Sequence, residues 1–92
     1  MEFEWDPKKA KSNRRKHRVS FDEAATAFSD ILSLTYYDEA HSDVERRYAT
    51  LGMSYQGRIL VVAHTMRGEK VRIISAREAT SRERKWYEEE NK

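Results

Sequence analysis

The first third of the chain shows one strand pattern followed by two helix patterns. Residues 2–5 alternate between polar and apolar side chains, which predicts a short edge strand. Asp6 and Pro7 are typical of a helix start, because Asp caps the first turn and Pro is tolerated at the first helical position, so we expect a helix over residues 7–17. Ser20, with a Glu three residues later, forms a capping box and predicts the start of a second helix. The apolar residues of this second helix recur at helical spacing and should pack on a sheet: Phe21, Ala24, Ala25 and Phe28.

The remaining two thirds of the chain predict an antiparallel sheet followed by a last helix. Residues 31–37 are expected to form a short strand or an extended segment, and residues 38–43 a polar turn or loop. Three longer strands follow, joined by short connections that each contain a glycine. They are predicted over residues 46–53, 58–65 and 70–77. The middle strand is apolar at both parities, which indicates cover on both faces, and a capping box at Thr80 predicts a helix over residues 81–90.

These elements predict an α+β fold with two N-terminal helices, a twisted antiparallel sheet of three to four strands plus a short N-terminal strand, and a C-terminal helix. The length of 92 residues suits one domain, which we expect to span residues 1–92. Because the chain has no cysteine, a disulfide framework and a thiolate zinc site are excluded, and a reducing cytoplasm is favoured. The most apolar uncharged stretch, residues 59–66, is far below the roughly 20 apolar residues of a membrane helix, so no membrane association is expected.

Basic residues are concentrated in the first predicted helix. Residues 8–18 contain seven Lys and Arg side chains and no acid. Since the whole chain carries a net charge of +2, the rest of the chain carries −5. This asymmetry favours an anionic partner such as a nucleic acid, and a solvated helix face is the alternative. The seven residues are Lys8, Lys9, Lys11, Arg14, Arg15, Lys16 and Arg18.

Three histidines are the only side chains that ordinarily titrate near neutral pH, and none has the spacing of a metal-binding pair. We therefore expect neither a metal site nor a cofactor. His64 lies on the central strand and is interpreted as a hydrogen-bonded structural residue. His41 lies in a polar loop, where a local hydrogen bond is favoured over catalysis. His17 ends the basic helix beside Lys16, which makes it a candidate base for proton transfer.

A second basic set lies on the predicted sheet and consists of arginines, which bind phosphate through two parallel hydrogen bonds. If this set shares a face with the first helix, the groove between them would follow a nucleic-acid backbone, and Trp5, Tyr48 or Tyr55 would stack on unpaired bases. RNA cleavage at such a site needs only a base, an acid and cations around the phosphate. The alternative is that each arginine pairs with one of the sixteen acids of the chain. The arginines are Arg46, Arg47, Arg58, Arg67, Arg72 and Arg77.

Five segments carry a family resemblance: FEWDPKKAKSNRRKH (3–17), VSFDEAATAF (19–28), HS (41–42), TLGMSYQGRILVVAHT (50–65) and VRIISAREATSRERKWYEE (71–89). Together they resemble the BrnT family of ribonuclease toxins of type II toxin–antitoxin systems. The resemblance implies a RelE-like fold, a bacterial cytoplasmic ribonuclease that blocks translation, and a BrnA-like antitoxin with a ribbon-helix-helix region, expected to form a heterotetramer with the toxin. Family members usually have Gly after the KH pair, where this chain has Arg18, so we expect a less favourable helix end.

The resemblance also points to candidate site residues. We expect Lys16 or His17 to transfer the proton, and Arg72 and Arg77 to stabilise the phosphate in the transition state. The expected RNA contacts are Trp5, Lys9, Arg47, Arg67, Arg84 and Tyr87. Ser75 also matches the family, although a position in the strand ladder is its structural alternative. The competing functional hypotheses are a non-catalytic nucleic-acid-binding module and a domain that docks only on proteins.

Overall fold

The computed structural model describes residues 1–92 and contains five strands and three helices. The strands are β1 (Glu2–Glu4), β2 (Leu34–Tyr37), β3 (Tyr48–Met53), β4 (Ile59–Arg67) and β5 (Lys70–Glu78). The helices are α1 (Pro7–His17), α2 (Phe21–Thr26) and α3 (Ser81–Glu90), and single 3₁₀ turns lie at Ala27–Ser29 and Glu39–His41. The predicted α+β class and the limits of the first and last helices are confirmed. None of the helices combines the length and the apolar composition that a bilayer crossing requires.

The strands form one sheet in the order β1-β5-β4-β3-β2. Pairing is antiparallel from β2 through β5, as predicted, whereas β1 pairs with β5 in parallel. The direction of the short N-terminal strand was not predicted, and it is parallel because β1 joins β5 from the far end of the chain rather than through a hairpin. The strand predicted over residues 31–37 begins only at Leu34, since the Asp30 side chain accepts a hydrogen bond from the Leu32 N–H (2.9 Å) and holds a turn there.

The core is divided between the two faces of the sheet. On one face, Leu60 and Val62 of β4 pack against Phe21 and Ala24 of α2. On the other face, Val61 belongs to a second cluster, to which α3 contributes Tyr87. The central strand is thus covered on both faces, as its apolar pattern predicts. Burial of these side chains is the main source of stability in a domain of this size.

A single residue, Asn13, fixes α1 against β5. Its side-chain amide donates to the carbonyl oxygens of Val19 (3.0 Å) and Ala76 (2.9 Å), and its side-chain oxygen accepts the N–H of Ala76 (3.0 Å). Because β1 covers only the start of β5, the buried Asn13 replaces a strand neighbour further along this edge. The basic helix is consequently held beside β5.

The ladder between β4 and β5 contains an irregularity that changes which side chains of β5 share a face. Ala63 pairs with Ser75 and His64 pairs with Ile73, so Ile74 is an extra residue, a β-bulge. A regular strand would place Arg72 and Arg77 on opposite faces, since they are an odd number of residues apart. The bulge puts both on the face that α3 covers.

α1 is followed by its C-cap residue Arg18, which is the only residue other than glycine with a positive φ (φ 59°, ψ 33°). Its N–H closes the helix by donating to the carbonyl oxygen of Arg14 (2.9 Å). This left-handed conformation favours glycine, the residue that the family usually has here. The expected less favourable helix end is therefore confirmed by the left-handed backbone conformation of Arg18.

Candidate functional site

A cavity of about 310 Å³ opens on the α3 face of the sheet, between the β2–β3 loop and β5. Its apolar floor consists of Ala49, Val61, Ala63 and Ile74. Its polar rim consists of Tyr36, Asp38, His41, Arg47, Ser75 and Arg77. The bulge at Ile74 is what brings Ser75 and Arg77 of β5 onto this face. Burial raises the pKa of Tyr36, so its hydroxyl remains a hydrogen-bond donor at neutral pH.

Ser42 organises the loop on one side of the cavity. Its hydroxyl donates to the carbonyl oxygen of Asp38 (2.5 Å) and accepts the N–H of Arg47 (3.0 Å), while the Asp38 N–H donates to the carbonyl oxygen of Arg47 (2.8 Å). Within this closed loop, His41 Nδ1 lies 2.9 and 3.1 Å from the two carboxylate oxygens of Asp38. The predicted local hydrogen bond of His41 is confirmed, and the same ring borders the cavity.

Arg77 is fixed over the other side of the cavity by the first turn of α3. Its Nη1 and Nη2 atoms donate to the two carboxylate oxygens of Glu83, at 2.8 and 3.0 Å. These hydrogen bonds, despite partial burial, lower the pKa of Glu83 to about 2, and they raise the pKa of Arg77. Glu83 also accepts the Thr80 N–H (2.8 Å) in the predicted capping box. The guanidinium is therefore held in a defined orientation at the rim.

Arg47 differs from Arg77 because its guanidinium donates no hydrogen bond within the chain. Its Nε is buried without a hydrogen-bond partner, and the nearest carboxylate, Glu45, is 3.7 Å away. An unpaired buried donor costs free energy and is uncommon in folded proteins. Because Arg47 also lines the cavity, its guanidinium is a candidate donor to an external acceptor there.

A second hollow of about 200 Å³ lies between α1 and β5, lined by Lys9, Ser12, Asn13, Lys16, His17, Ile74 and Ser75. Ile74 and Ser75 also line the larger cavity, so the two depressions adjoin the same two residues of β5. We call them together the cationic groove. Its lining includes side chains of the basic helix as well as Arg47 and Arg77. None of the seven basic side chains in residues 8–18 forms an ion pair with an acid of this chain.

Other predicted site residues lie outside the groove. Arg72 shares the face of Arg77, but its Nη1 donates to a carboxylate oxygen of Glu4 (2.7 Å) in the paired strand β1. Arg67 is exposed at the end of β4, in the β4–β5 hairpin. Arg84 donates to the carbonyl oxygen of Ala79 (3.1 Å) at the start of α3. The direct participation of these arginines in an RNA site stays a prediction.

The two aromatic residues that were predicted to contact RNA, Trp5 and Tyr87, pack inside the protein. Tyr87 is buried, and its hydroxyl donates to Asp30, which seats α3 on the sheet. Trp5 packs edge-on against Phe21 with ring centroids 5.9 Å apart, next to the core on the α2 face. Neither ring lines the cationic groove, so contact with RNA stays a prediction for both.

His64 has the structural role that its position on the central strand predicts. It is buried, its Nε2 lies 2.9 Å from the Thr50 hydroxyl, and burial lowers its pKa to about 4. It is therefore neutral at physiological pH. No group of three or more His, Asp and Glu side chains is placed to bind a metal ion.

Comparison with known proteins agrees with the sequence resemblance. A family model described as the ribonuclease toxin BrnT of type II toxin–antitoxin systems matches residues 5–83. The chain belongs to the BrnT family. Its fold is similar to that of the Brucella abortus ribonuclease toxin BrnT, known from a crystal structure at 1.1 Å resolution. The TM-score is 0.69 at 24% sequence identity, with 88% of this chain and 99% of that chain covered. No curated protein sequence matches the chain.

Within this BrnT fold, sequence reasoning missed two members of the cavity rim, Tyr36 and Asp38, and placed a catalytic role of His41 second to a local hydrogen bond. A signal for His41 was present, because the HS pair at residues 41–42 is part of the family resemblance. The structure explains the pair, since Ser42 closes the loop and His41 borders the cavity. The contribution of Tyr36 and Asp38 depends on how the loop folds back on β3, which no local pattern reveals.

Proposed function

We propose that the protein is a metal-independent endoribonuclease toxin that cleaves RNA in the cationic groove. The observation that carries this proposal is that Ile74 and Ser75 line both depressions. A polyanion that crosses β5 at these residues would run from α1 to Arg47 and Arg77. Family membership supplies the class of activity, since the family is described as ribonuclease toxins.

The proposed reaction is attack of a ribose 2′-oxygen on the adjacent phosphorus, which releases the 5′-oxygen and leaves a 2′,3′-cyclic phosphate. Lys16 or His17 exchanges a proton with the reacting oxygens at the α1 side of the groove. Arg47 and Arg77 stabilise the negative charge that develops on the phosphate oxygens. This chemistry needs no metal ion, because proton transfer and fixed cations suffice.

The cations divide into two groups in this proposal. Arg72 would have to release Glu4 before it could bind phosphate. We therefore assign to Arg47 the stabilisation of the transition-state phosphate that was predicted for Arg72 from the sequence. Lys9 contacts the backbone of the flanking nucleotides along α1, where it is exposed. Arg67, Arg84, Trp5 and Tyr87 are not required for cleavage in this scheme.

The partner follows from the family, because a type II toxin is paired with a protein antitoxin. We propose a BrnA-like antitoxin with a ribbon-helix-helix region that covers the cationic groove with acidic side chains and assembles with the toxin as a heterotetramer. Such cover would neutralise the unpaired charge of α1 and block the phosphate path together. Co-expression with this partner is therefore expected to restore the growth that the toxin alone inhibits.

The direct test is incubation of the purified chain with single-stranded RNA, with and without EDTA, followed by end-group analysis of the products. We expect cleavage in both samples and products with 2′,3′-cyclic phosphate and 5′-hydroxyl ends. Cleavage that EDTA abolishes would overturn the metal-independent reaction. Salt-dependent binding without cleavage at verified folding would favour the alternative, a non-catalytic nucleic-acid-binding module.

A further inference from the structure

We propose that His41, held by Asp38, is a second proton-transfer residue of the cleavage reaction, on the side of the cationic groove opposite to α1. This inference rests on the proposed function and deepens it. Neither the basic helix nor the arginine set includes this residue. Three features of His41 support the role: the orientation of its ring, its place among the cations and its exposure.

The carboxylate of Asp38 fixes the chemistry of the ring. An ionised carboxylate only accepts hydrogen bonds, so the contacts of 2.9 and 3.1 Å place the proton on Nδ1 of His41. Nε2 is then the nitrogen that can take or return a proton of the substrate. Ser42 holds the backbone of Asp38 and Arg47 together. The His41–Asp38 pair therefore lies in a loop whose two ends are hydrogen-bonded to each other.

The geometry of the reaction calls for proton-transfer groups on two sides of the phosphate. In an in-line displacement the 2′-oxygen enters opposite the departing 5′-oxygen, so one side chain cannot reach both. Lys16 and His17 lie on the α1 side of Ser75, and His41 lies across the cavity from them, on the β2–β3 loop. As the 2′-oxygen to phosphorus bond forms, the base on one side takes the 2′-hydroxyl proton. As the phosphorus to 5′-oxygen bond breaks, the acid on the other side gives a proton to the leaving oxygen, so charge and protons balance.

The surroundings of His41 fit proton transfer better than a packing role. Its side chain is 68% exposed, in contrast to the buried His64, so the fold gains little from it. The charged and titratable side chains around it are Asp38, Arg47, Arg77 and Tyr36 in the cavity, and Asp43 and Glu45 in the hollow on its outer side. Two of these are the cations that would hold the phosphate.

The test compares His41→Ala with the unchanged protein and with Glu39→Ala, an exposed neighbour in the same turn, in cleavage of single-stranded RNA. We expect His41→Ala to lower the cleavage rate by about 10²–10⁴-fold, the usual contribution of a general acid or base. Its melting temperature and RNA affinity should stay unchanged, and added imidazole should restore part of the rate. Glu39→Ala should cleave at the unchanged rate.

Asp38 is a positioning residue in this proposal, and two substitutions examine it. Asp38→Asn should give a smaller loss than His41→Ala, expressed in kcat rather than KM, because an amide no longer holds Nδ1 as the protonated nitrogen. Asp38→Glu, which keeps the carboxylate, should recover part of kcat. A loss expressed only in the melting temperature would mean that the carboxylate merely supports the loop.

The outcomes separate this inference from the proposed function. If the unchanged protein leaves RNA intact, the proposed function fails, and this inference fails with it. If the unchanged protein cleaves and His41→Ala cleaves within about threefold of it, only the role of His41 is overturned. A large loss that imidazole does not restore would also overturn it, since it would assign His41 to loop structure or RNA binding.

Discussion

Two arginine-containing regions of the molecule use their charge in opposite ways. In the first, Arg58 donates to Glu23 through Nε (3.0 Å) and Nη2, and Nη2 also donates to the carbonyl oxygen of Arg18 (3.0 Å). Glu23 is buried and also accepts the Ser54 hydroxyl (2.7 Å). The hydrogen bond from Arg58 lowers the pKa of Glu23 despite its desolvation. In the second region, the cationic groove, Arg47 keeps a buried Nε without a partner, and the side chains of α1 form no ion pair.

This difference separates arginines that serve the fold from arginines that are available to a partner. A buried charge must be compensated inside the chain, and the Glu23–Arg58 pair meets that condition. Charges that remain uncompensated along a groove require an external anion or solvent. Arg77 combines both conditions, because Glu83 fixes it while its guanidinium borders the cavity. Substitutions in each region should therefore affect either cleavage or stability, and rarely both.

Among substitutions in these two regions, the largest effect is expected for Arg47→Ala in RNA cleavage. Loss of one preorganised donor to the developing charge typically lowers kcat on the order of 10²–10³-fold. Stability should hardly change, since the substitution removes an unpaired buried donor. The measurement is the cleavage rate together with the melting temperature, and Arg46→Ala, at the exposed neighbouring position, is the control. Equal cleavage by the two variants would contradict the role of Arg47.

Glu23→Gln should have the opposite profile, with a large loss of stability and little loss of activity per folded molecule. Removing one partner of a buried ion pair costs about 3 kcal/mol because the other charge is left uncompensated. Chemical denaturation measures this difference. The control is Glu78→Gln, because Glu78 is 59% exposed and 3.9 Å from Arg58, where an exposed pair contributes about 0.5 kcal/mol or less. A similar cost for both substitutions would mean that burial does not distinguish the two carboxylates.

The double substitution Lys9→Gln and Lys16→Gln is expected to act on RNA binding through its salt dependence. Affinity for a single strand decreases as salt increases, and the slope of log affinity against log salt becomes shallower by about 0.7 for each phosphate that the protein no longer neutralises. Binding to an RNA that lacks the reactive 2′-hydroxyl isolates this effect from cleavage. Lys85→Gln with Lys92→Gln removes the same charge from exposed positions away from the groove. If both double variants change the slope equally, binding depends on total charge rather than on the groove.

Glu83→Gln should reduce stability in a pH-dependent way. The folded-state pKa of Glu83, about 2, lies below its ordinary value of 4.5, so ionisation stabilises the fold above pH 4.5, and this contribution is lost as the pH falls towards 2. We expect the variant to be less stable by about 1 kcal/mol at pH 7 and equal to the unchanged protein near pH 2. Gln keeps the capping box, so the substitution isolates the charge. If the variant were still less stable than the unchanged protein by the same amount at pH 2, the stabilisation would not come from the charge of Glu83.

The helices were predictable from the sequence because their signals are local. Asp6, Ser20 and Thr80 each cap a helix within three residues, and the structure contains these caps. The antiparallel strands were predictable for the same reason, since short glycine-containing connections bring neighbours together. The parallel position of β1 was not, because it depends on contacts between the start of the chain and residues 70–72.

The site was predictable in composition but not in arrangement. The sequence identifies the basic helix and the arginines, whereas their carboxylate partners lie far away along the chain: Glu4 for Arg72 and Glu23 for Arg58. The bulge at Ile74 is also invisible to a period-two pattern, although it decides which side chains of β5 face the cavity. Long-range pairing and one extra residue therefore separate the site residues from the structural ones.

The smallest effect is expected at Arg18, where the backbone conformation favours glycine and RNA binding favours a cation. Its left-handed conformation is unfavourable for any side chain but glycine, so Arg18→Gly should stabilise the fold by about 0.5–1 kcal/mol, which is a rise of several degrees in melting temperature. Arg15→Gly removes the same charge from the middle of α1 and should destabilise the fold by about 1 kcal/mol. Opposite signs for the two variants would show that conformation, not charge, sets the stability at position 18. Both variants should bind RNA slightly less tightly, and unchanged binding by Arg18→Gly alone would mean that this cation lies outside the path of the phosphates.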